Sequence, residues 1–252
     1  LRRSLEMRRR EPTIDPRAIP TACLNLAEVL RLQGRPDEAD SLYRAAVDLG
    51  AKVLARDDPY LAIYRTQYAV QLEAAGLRQP ADSLFRLAYD HLRRTVPPTH
   101  PSLIEIVLAR AGIALQDGRT HESDSLLQVA LAGRVATYGD RHPEVGLIHL
   151  RIAEALFAHG GSPDSARAEI AAAVERLSTG PAYREASARA LVLEAMALRR
   201  SGQRDRGRAT LDAALGKVDS LRTDRGGGDD VRARFLAGHV ADFRDLAEWC
   251  RE

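Results

Sequence analysis

Histidines and cysteines are the side chains of this chain best suited to chemistry, because imidazoles and thiolates bind metals and act as bases or nucleophiles. The 252 residues include seven histidines and two cysteines, Cys23 and Cys250. His149 and His159 lie ten positions apart, roughly three turns of a helix, which is too far for one metal ion. The cysteines stand near opposite ends of the chain, so no disulfide framework or Cys-x-x-Cys metal motif is indicated.

Catalytic motifs are missing from the sequence as well. It has no Gly-x-Ser-x-Gly, no His-Glu-x-x-His and no glycine-rich nucleotide loop. His100 and His142 each precede a proline, which places them at turns. We therefore predict that the chain is not an enzyme and holds no cofactor or metal.

Composition narrows the class of partner. The net charge is only +2, and Arg alternates with Asp and Glu along most of the chain, which is typical of a solvated helical surface and does not favour nucleic acid. Aromatic residues make up 5% of the chain, which fits helices packed through small side chains better than a sheet. No apolar run is long enough to cross a bilayer. These features predict a cytoplasmic protein without a membrane partner.

A spacing of 42 residues organises the sequence. Five glycines recur at this spacing: Gly34, Gly76, Gly118, Gly160 and Gly202. Five alanines recur in the same register: Ala27, Ala69, Ala111, Ala153 and Ala195. Fixed self-similarity at this period is the sequence signature of an array of stacked structural repeats.

Each repeat has the pattern of two amphipathic helices separated by a glycine turn. First helices are predicted over 19–33, 60–75, 102–117, 144–159 and 182–201, and second helices over 36–54, 80–95, 120–137, 163–178 and 203–221. This pattern divides 19–221 into five repeats, 19–58, 59–100, 101–142, 143–180 and 181–221. Residues 1–10 are predicted to be the second helix of a truncated preceding repeat, and 229–252 a C-terminal capping helix.

The residues that define the pattern are Leu26, Ala27, Leu30, Gly34, Ala39, Tyr43 and Ala46 in the first repeat, and Tyr68, Ala69, Leu72, Gly76, Ala81, Phe85 and Ala88 in the second. The third repeat differs, with Arg110 and Ser123 at two positions that are apolar or small in the first two repeats. The pattern resembles the tetratricopeptide repeat family, in the 42-residue form typical of kinesin light chains and of many bacterial multidomain proteins. The resemblance implies an all-α fold, a right-handed superhelical α-solenoid of helix–turn–helix repeats. It also implies a protein-interaction scaffold whose first helices line a concave face.

Helical spacing then assigns a set of first-helix residues to that concave face. They are Leu24, Glu28, Arg31, Ile63, Thr66, Val70, Glu73, Glu105, Leu108, Leu115, Leu147, Leu150, Glu154, Phe157, Arg189, Val192, Met196, Arg199 and Arg200. One interpretation is a groove for a peptide or helix of a protein partner, with apolar anchors in the middle repeats and acidic residues near the arginines of the fifth. The alternative is that several of these aliphatic residues pack between neighbouring first helices.

Family subtypes help to limit the partner. The carboxylate clamp of chaperone-binding relatives needs Lys and Asn where this chain has Leu24 and Glu28, so that specificity is not expected here. The paired asparagines typical of the long-repeat subtype are reduced to Asn25. Inheritance of a kinesin-light-chain cargo is therefore not implied.

Two further hypotheses concern context and partner class. By analogy of architecture, the chain is expected to be the C-terminal part of a larger bacterial signalling or regulatory protein, with a kinase as the leading choice. The alternative function is binding of nucleic acid or another anionic ligand through a fifth-repeat cluster, Arg199, Arg200, Arg204, Arg206 and Arg208. No aromatic stacking platform accompanies that cluster. The sequence leaves the oligomeric state open.

Overall fold

The computed structural model of the protein describes residues 15–178 and 181–225. The predicted helix over 1–10, the predicted capping helix over 229–252 and Cys250 lie outside this range. Within the described residues every regular element is helical. No helix among them is long and apolar enough to cross a membrane.

Ten α-helices follow one another along the described chain. They are α1 Ala18–Leu32, α2 Pro36–Val53, α3 Pro59–Ala74, α4 Arg78–Thr95, α5 Pro101–Gln116, α6 Thr120–Tyr138, α7 Pro143–Ala158, α8 Pro163–Leu177, α9 Arg184–Arg200 and α10 Arg204–Arg225. A short 3-10 turn, Pro181–Tyr183, precedes α9. The predicted bounds agree to within two residues, except that α10 continues four residues beyond the predicted end at 221.

Side-chain caps and prolines fix where several of the helices begin. Asp58 accepts a hydrogen bond from the backbone N–H of Tyr60 (2.9 Å), and proline follows it as the first residue of α3. His100 and His142 do the same through Nδ1, at 3.2 and 3.1 Å. A proline is tolerated there because its missing N–H would have no partner inside the helix. The two turn histidines therefore act as helix caps.

The turn glycines end the first helices in a left-handed conformation. Their φ angles lie between +71° and +78°, a region that side chains with a Cβ rarely adopt. At the first of these turns the N–H of Arg35 reaches back to the carbonyl of Leu30 (3.0 Å). The same bond closes the last turn, from Gln203 to Leu198 (2.9 Å). This capping pattern satisfies carbonyls that the helix end leaves without a partner.

The chain divides into two compact units, one ending at Arg119 and the other beginning at Thr120. The division falls between α5 and α6, inside the third predicted repeat, so the unit boundary does not coincide with a repeat boundary. The five predicted repeat boundaries themselves stay a prediction.

In the first unit, each helix from α1 to α4 packs against the helix that follows it, so the series ends at α5. Ala27 and Ala69 are fully buried among Tyr64, Phe85 and other large apolar side chains. Gly50 marks the closest approach of α2 to α3, because a Cβ there would stand 2.7 Å from the ring of Tyr64. Small residues thus sit where neighbouring helices come closest, as the alanine register predicted.

The second unit repeats this packing from α6 to α10, with α9 also touching α7. Ala153 and Ala195 have no exposed surface. The first packs in a cluster with Ile170 and Leu177, and the second in a cluster with Val192 and Leu211. The alanine register therefore holds in both units.

Candidate partner-binding surfaces

Four predicted groove residues belong to the core and not to an accessible face. Leu24, Leu108, Leu150 and Val192 expose only 5, 6, 3 and 1% of their surface. They occupy one register position, which the fold turns toward neighbouring side chains. For these four the alternative interpretation, packing between helices, is the correct one.

In the first unit, the remaining predicted residues form a mixed surface. Val70 and Ile63 are large apolar side chains left 52 and 43% exposed. Glu28, Arg31 and Glu105 are exposed as well. Thr66, Glu73 and Leu115 are half-buried. This surface offers two apolar contacts among polar groups.

Glu28 and Arg31 satisfy each other on this surface. The Arg31 guanidinium donates to both carboxylate oxygens of Glu28, at 2.5 and 2.9 Å, and the Tyr43 hydroxyl donates to the same carboxylate (2.8 Å). The hydrogen bonds from Arg31 and then Tyr43 lower the pKa of Glu28 to about 2. Burial, followed by the bond to Glu28, raises the pKa of Tyr43 to about 12. These groups form a closed network.

A second set of polar contacts links neighbouring repeats in the first unit. The Tyr68 hydroxyl donates to Asp40 (2.9 Å), and Arg110 Nε donates to Asp82 (3.0 Å). Both pairs join residues 28 positions apart. The unusual Arg110 is thereby explained, since its charge is held by a carboxylate of the preceding repeat.

The second unit contains an apolar pocket of about 210 Å³, called here the Phe157 pocket. Phe157 and Leu156 from the end of α7 form one wall, and Ala197 and Arg200 from the end of α9 form another. The rest of the lining comes from the turn after α7 and the start of α8: Gly160, Gly161, Pro163, Ala166 and Arg167, with Ser201. An engineered apolar cavity of about 150 Å³ admits benzene. The Phe157 pocket therefore has room for one large apolar side chain.

Arg200 supplies the charge at the rim of this pocket. Its guanidinium lies 4.6 Å from the centre of the Phe157 ring, a favourable cation–π distance. Among the described residues no carboxylate lies within ion-pair distance of Arg200, whereas Arg167 is paired with Asp164 (2.8 Å). The structure thus places two of the predicted groove residues, Phe157 and Arg200, in one pocket.

The other predicted residues of the second unit have different surroundings. Arg189 forms an ion pair with Glu154. Leu147 and Met196 are half-buried against the apolar clusters, and Arg199 is half-buried. None of these five lines the Phe157 pocket.

Sequence reasoning missed much of the pocket lining. Gly161 is the extra residue that makes the turn after α7 longer than the others, and a Cβ there would come within 2.7 Å of Leu156. That insertion was the available signal, because an interruption of a strict repeat marks a place where the surface changes.

The two α7-region histidines do not meet. His149 Nδ1 lies 2.6 Å from Glu169, and His159 Nε2 lies 3.4 Å from Asp124. No group of three or more potential ligands among the described residues could hold a metal ion.

Sequence comparison adds a family to this geometry. Two tetratricopeptide repeat models match, one over residues 20–94 and the other over 111–144. Residues 20–94 and 111–144 thus carry tetratricopeptide repeats, the family that the sequence pattern indicated. No curated protein matches it.

Solved structures place this tetratricopeptide repeat protein among helical-repeat folds. BtubC (BKLC) from P. vanneervenii is 17% identical, with a TM-score of 0.71 over 82% of both chains. The nearly identical repeats of a kinesin light chain from Podosopora anserina are 22% identical, with a TM-score of 0.63 over 84% of this chain and 99% of that one. The Rap conjugation gene regulator of plasmid pLS20, in complex with the Phr* peptide, is 13% identical, with a TM-score of 0.57 over 90% of this chain and 64% of that one. The predicted all-α helical-repeat solenoid is confirmed.

Proposed function

We propose that the chain is a non-catalytic interaction scaffold that binds an extended or helical segment of a protein partner, and that the Phe157 pocket receives an apolar anchor of that segment. The observation that carries the proposal is the juxtaposition in one small pocket of an apolar wall and Arg200, which has no carboxylate within ion-pair distance among the described residues. An anchor of the size of Leu or Phe fits the volume, and an adjacent Asp or Glu complements Arg200.

Fold likeness supports the same class of function. The Rap regulator that shares this fold is in complex with a peptide, and tetratricopeptide arrays offer a series of helix surfaces for such segments. In the first unit, Ile63 and Val70 provide further exposed apolar contacts for the same kind of ligand.

A random dodecapeptide library displayed on phage tests this proposal, with the full chain as bait. We expect enriched peptides to carry a large apolar residue next to Asp or Glu. For the best synthetic peptide, Phe157→Ala should weaken binding by ~1–2 kcal/mol, mostly through faster dissociation. Arg200→Glu should slow association and reduce its salt dependence.

Arg151→Glu is the matched control for Arg200→Glu, because Arg151 is an exposed arginine on α7, the helix of Phe157, and does not line the pocket. Thermal melts of each variant separate lost binding from lost folding. The proposal fails if enriched peptides lack an apolar residue, or if the control weakens binding as much as Arg200→Glu.

Nucleic-acid binding through the fifth-repeat arginines is the competing function, and a labelled oligonucleotide distinguishes it. Phosphate-backbone binding would weaken steeply with salt and would be lost when Arg204, Arg206 and Arg208 are replaced together. Peptide binding in the Phe157 pocket would survive that replacement.

The biological setting is a further part of the proposal. We assign the scaffold to a larger bacterial signalling protein, with a kinase as the catalytic part. Sequencing the complete reading frame tests this, and a frame without any signalling domain would contradict it.

A further inference from the structure

The first unit contains a cavity that has no part in the proposed binding of a peptide. It has a volume of about 430 Å³ and lies between the end of α2, the middle of α3 and the end of α4. Arg56, Arg65, His91 and Arg94 contribute its polar wall, and Leu54, Leu61 and Leu87 contribute much of its apolar wall. We call it the Arg65 cavity.

Arg65 and His91 are polar at positions where the first repeat has apolar residues. Arg65 stands 42 residues after Cys23 and 42 before Val107, which are 4 and 1% exposed core residues. His91 stands 42 residues after Leu49, which packs against the core. Apolar side chains would therefore build a sound repeat at both positions. Placing a half-buried arginine and a buried histidine there costs desolvation energy that the fold does not require.

Three arginines, Arg56, Arg65 and Arg94, give the Arg65 cavity its positive charge. Within residues 15–178 and 181–225, none of Arg56, Arg65 and Arg94 forms an ion pair with a carboxylate. Asp90 also lines the cavity, but it is paired with Arg93 (3.2 Å). Burial and then the charge of Arg94 lower the pKa of Arg65, as expected for a half-buried guanidinium beside a second, exposed cation.

His91 adds an unsatisfied polar atom. It is 1% exposed, and its Nε2 has no hydrogen-bond partner in the described part of the chain. The backbone of Asp57 is hydrogen-bonded to the same ring. Burial, followed by the charge of Arg65, lowers the pKa of His91. Protonation turns Nε2 into a donor, and an anion that enters the cavity beside the arginines then accepts a hydrogen bond from it.

We infer that the Arg65 cavity is a binding site for a phosphate monoester, whose phosphoryl group is held by Arg65 and Arg94, and by His91 when its ring is protonated, while its organic part lies against Leu61 and Leu87. Guanidinium groups match the oxygens of a phosphoryl group through paired N–H donors. The cavity volume lies in the range of small-ligand sites, roughly 300–1,000 Å³. The apolar wall favours an ester over the bare ion. The phosphoryl group could belong to a small molecule or to a phosphorylated side chain.

Calorimetric titration of the full chain tests this with sodium phosphate, sodium sulfate and sodium chloride at matched ionic strength. We expect saturable binding of phosphate and sulfate but not of chloride. Arg65→Val places in the second repeat the residue found at the same position in the third. It should weaken phosphate binding ~10-fold or more, because it removes charge-assisted hydrogen bonds, and it should raise the melting temperature. Arg86→Ala, an exposed arginine of α4 outside the cavity, should change neither quantity.

Sulfate gives a second readout, because its charge is constant between pH 7.5 and 5.5. The charged groups around His91 are Arg56 and Asp57 before α3, Arg65 on α3, and Asp90 and Arg94 on α4. Protonation makes Nε2 a donor, so sulfate should bind more tightly as the pH falls in the wild type and not in His91→Leu. A structural role alone would not produce that difference.

Two esters identify the source of the phosphoryl group. Phenyl phosphate represents a small molecule, and a phosphoserine hexapeptide with flanking leucines represents a modified protein; its unphosphorylated form is the control. Tighter binding than inorganic phosphate by either ester supports the proposal and names the source. The proposal is overturned if no anion binds saturably, if Arg65→Val binds phosphate like the wild type, or if neither ester exceeds inorganic phosphate.

Discussion

The two units repeat their apolar core but not their polar contacts. In the first unit, Asp82 holds Arg110 as Asp40 holds Tyr68, at the same spacing of 28 residues. In the second unit, the residue 28 positions after Asp124 is Ile152, which has no polar group. Asp124 instead contacts His159 at 3.4 Å. The recurring small and apolar residues therefore determine how the helices pack within each unit, whereas the polar contacts differ between repeats.

The largest expected effect on stability comes from replacing Asp82, the buried acid of the first unit. Asp82 exposes 8% of its surface and stands beside both Arg110 and Arg119. Asp82→Ala should therefore lower the free energy of unfolding by ~3 kcal/mol, because it leaves a desolvated guanidinium without its carboxylate. Asp124→Ala, at the corresponding but more open position, should change it by less than about 0.5 kcal/mol.

Urea unfolding followed by circular dichroism measures both changes. Asp82→Asn is a useful intermediate, since it keeps the shape and an acceptor but removes the charge. If Asp82→Ala and Asp124→Ala lose the same free energy of unfolding, the contact between residues 28 positions apart does not add to the stability of the first unit.

The next effect tests the part of the comparison in which the units agree. Ala69 and Ala153 are both fully buried, so Ala69→Leu and Ala153→Leu should each cost ~1–3 kcal/mol through overpacking. Ala74→Leu and Ala158→Leu make the same change at exposed helix ends and should be nearly neutral. Thermal melts that show a large cost in only one unit would argue against a common core.

Most of the fold could be predicted because its determinants are local. Gly34 and its equivalents end helices by their own backbone preference, and proline after Asp58, His100 or His142 begins them. The small residue at Ala27 recurs because each helix pair meets the next in the same way. Such rules need no knowledge of distant contacts.

The candidate sites were harder to predict for a geometrical reason. Leu24 and Glu28 lie four positions apart, which separates them by only about 40° around a helix, yet one is buried and the other exposed. Helical spacing alone cannot show which residues of so narrow a sector face a neighbouring helix and which face solvent. Arg65 and His91 carried a signal in their repeat register, but their shared cavity depends on how three helices meet.

The smallest expected effect concerns the closed network of Glu28, Arg31 and Tyr43 in the first unit. A pH titration measures it. Arg31 first and Tyr43 second hold the pKa of Glu28 at about 2, below the ordinary glutamate value of about 4.3. Because the folded-state pKa is lowered, the stabilisation from Glu28 is present above pH ~4.3 and is lost as the pH falls toward 2. Carbon-13 NMR of the Glu28 carboxyl should show this midpoint. Arg31→Ala should raise it more than Tyr43→Phe, and Tyr43→Phe should leave the stacking partner Tyr68, 6.1 Å away in the wild type, in place. If Glu28 titrates at its ordinary value in the wild type, the network does not persist in solution, and this stretch of the first unit is an open acidic surface.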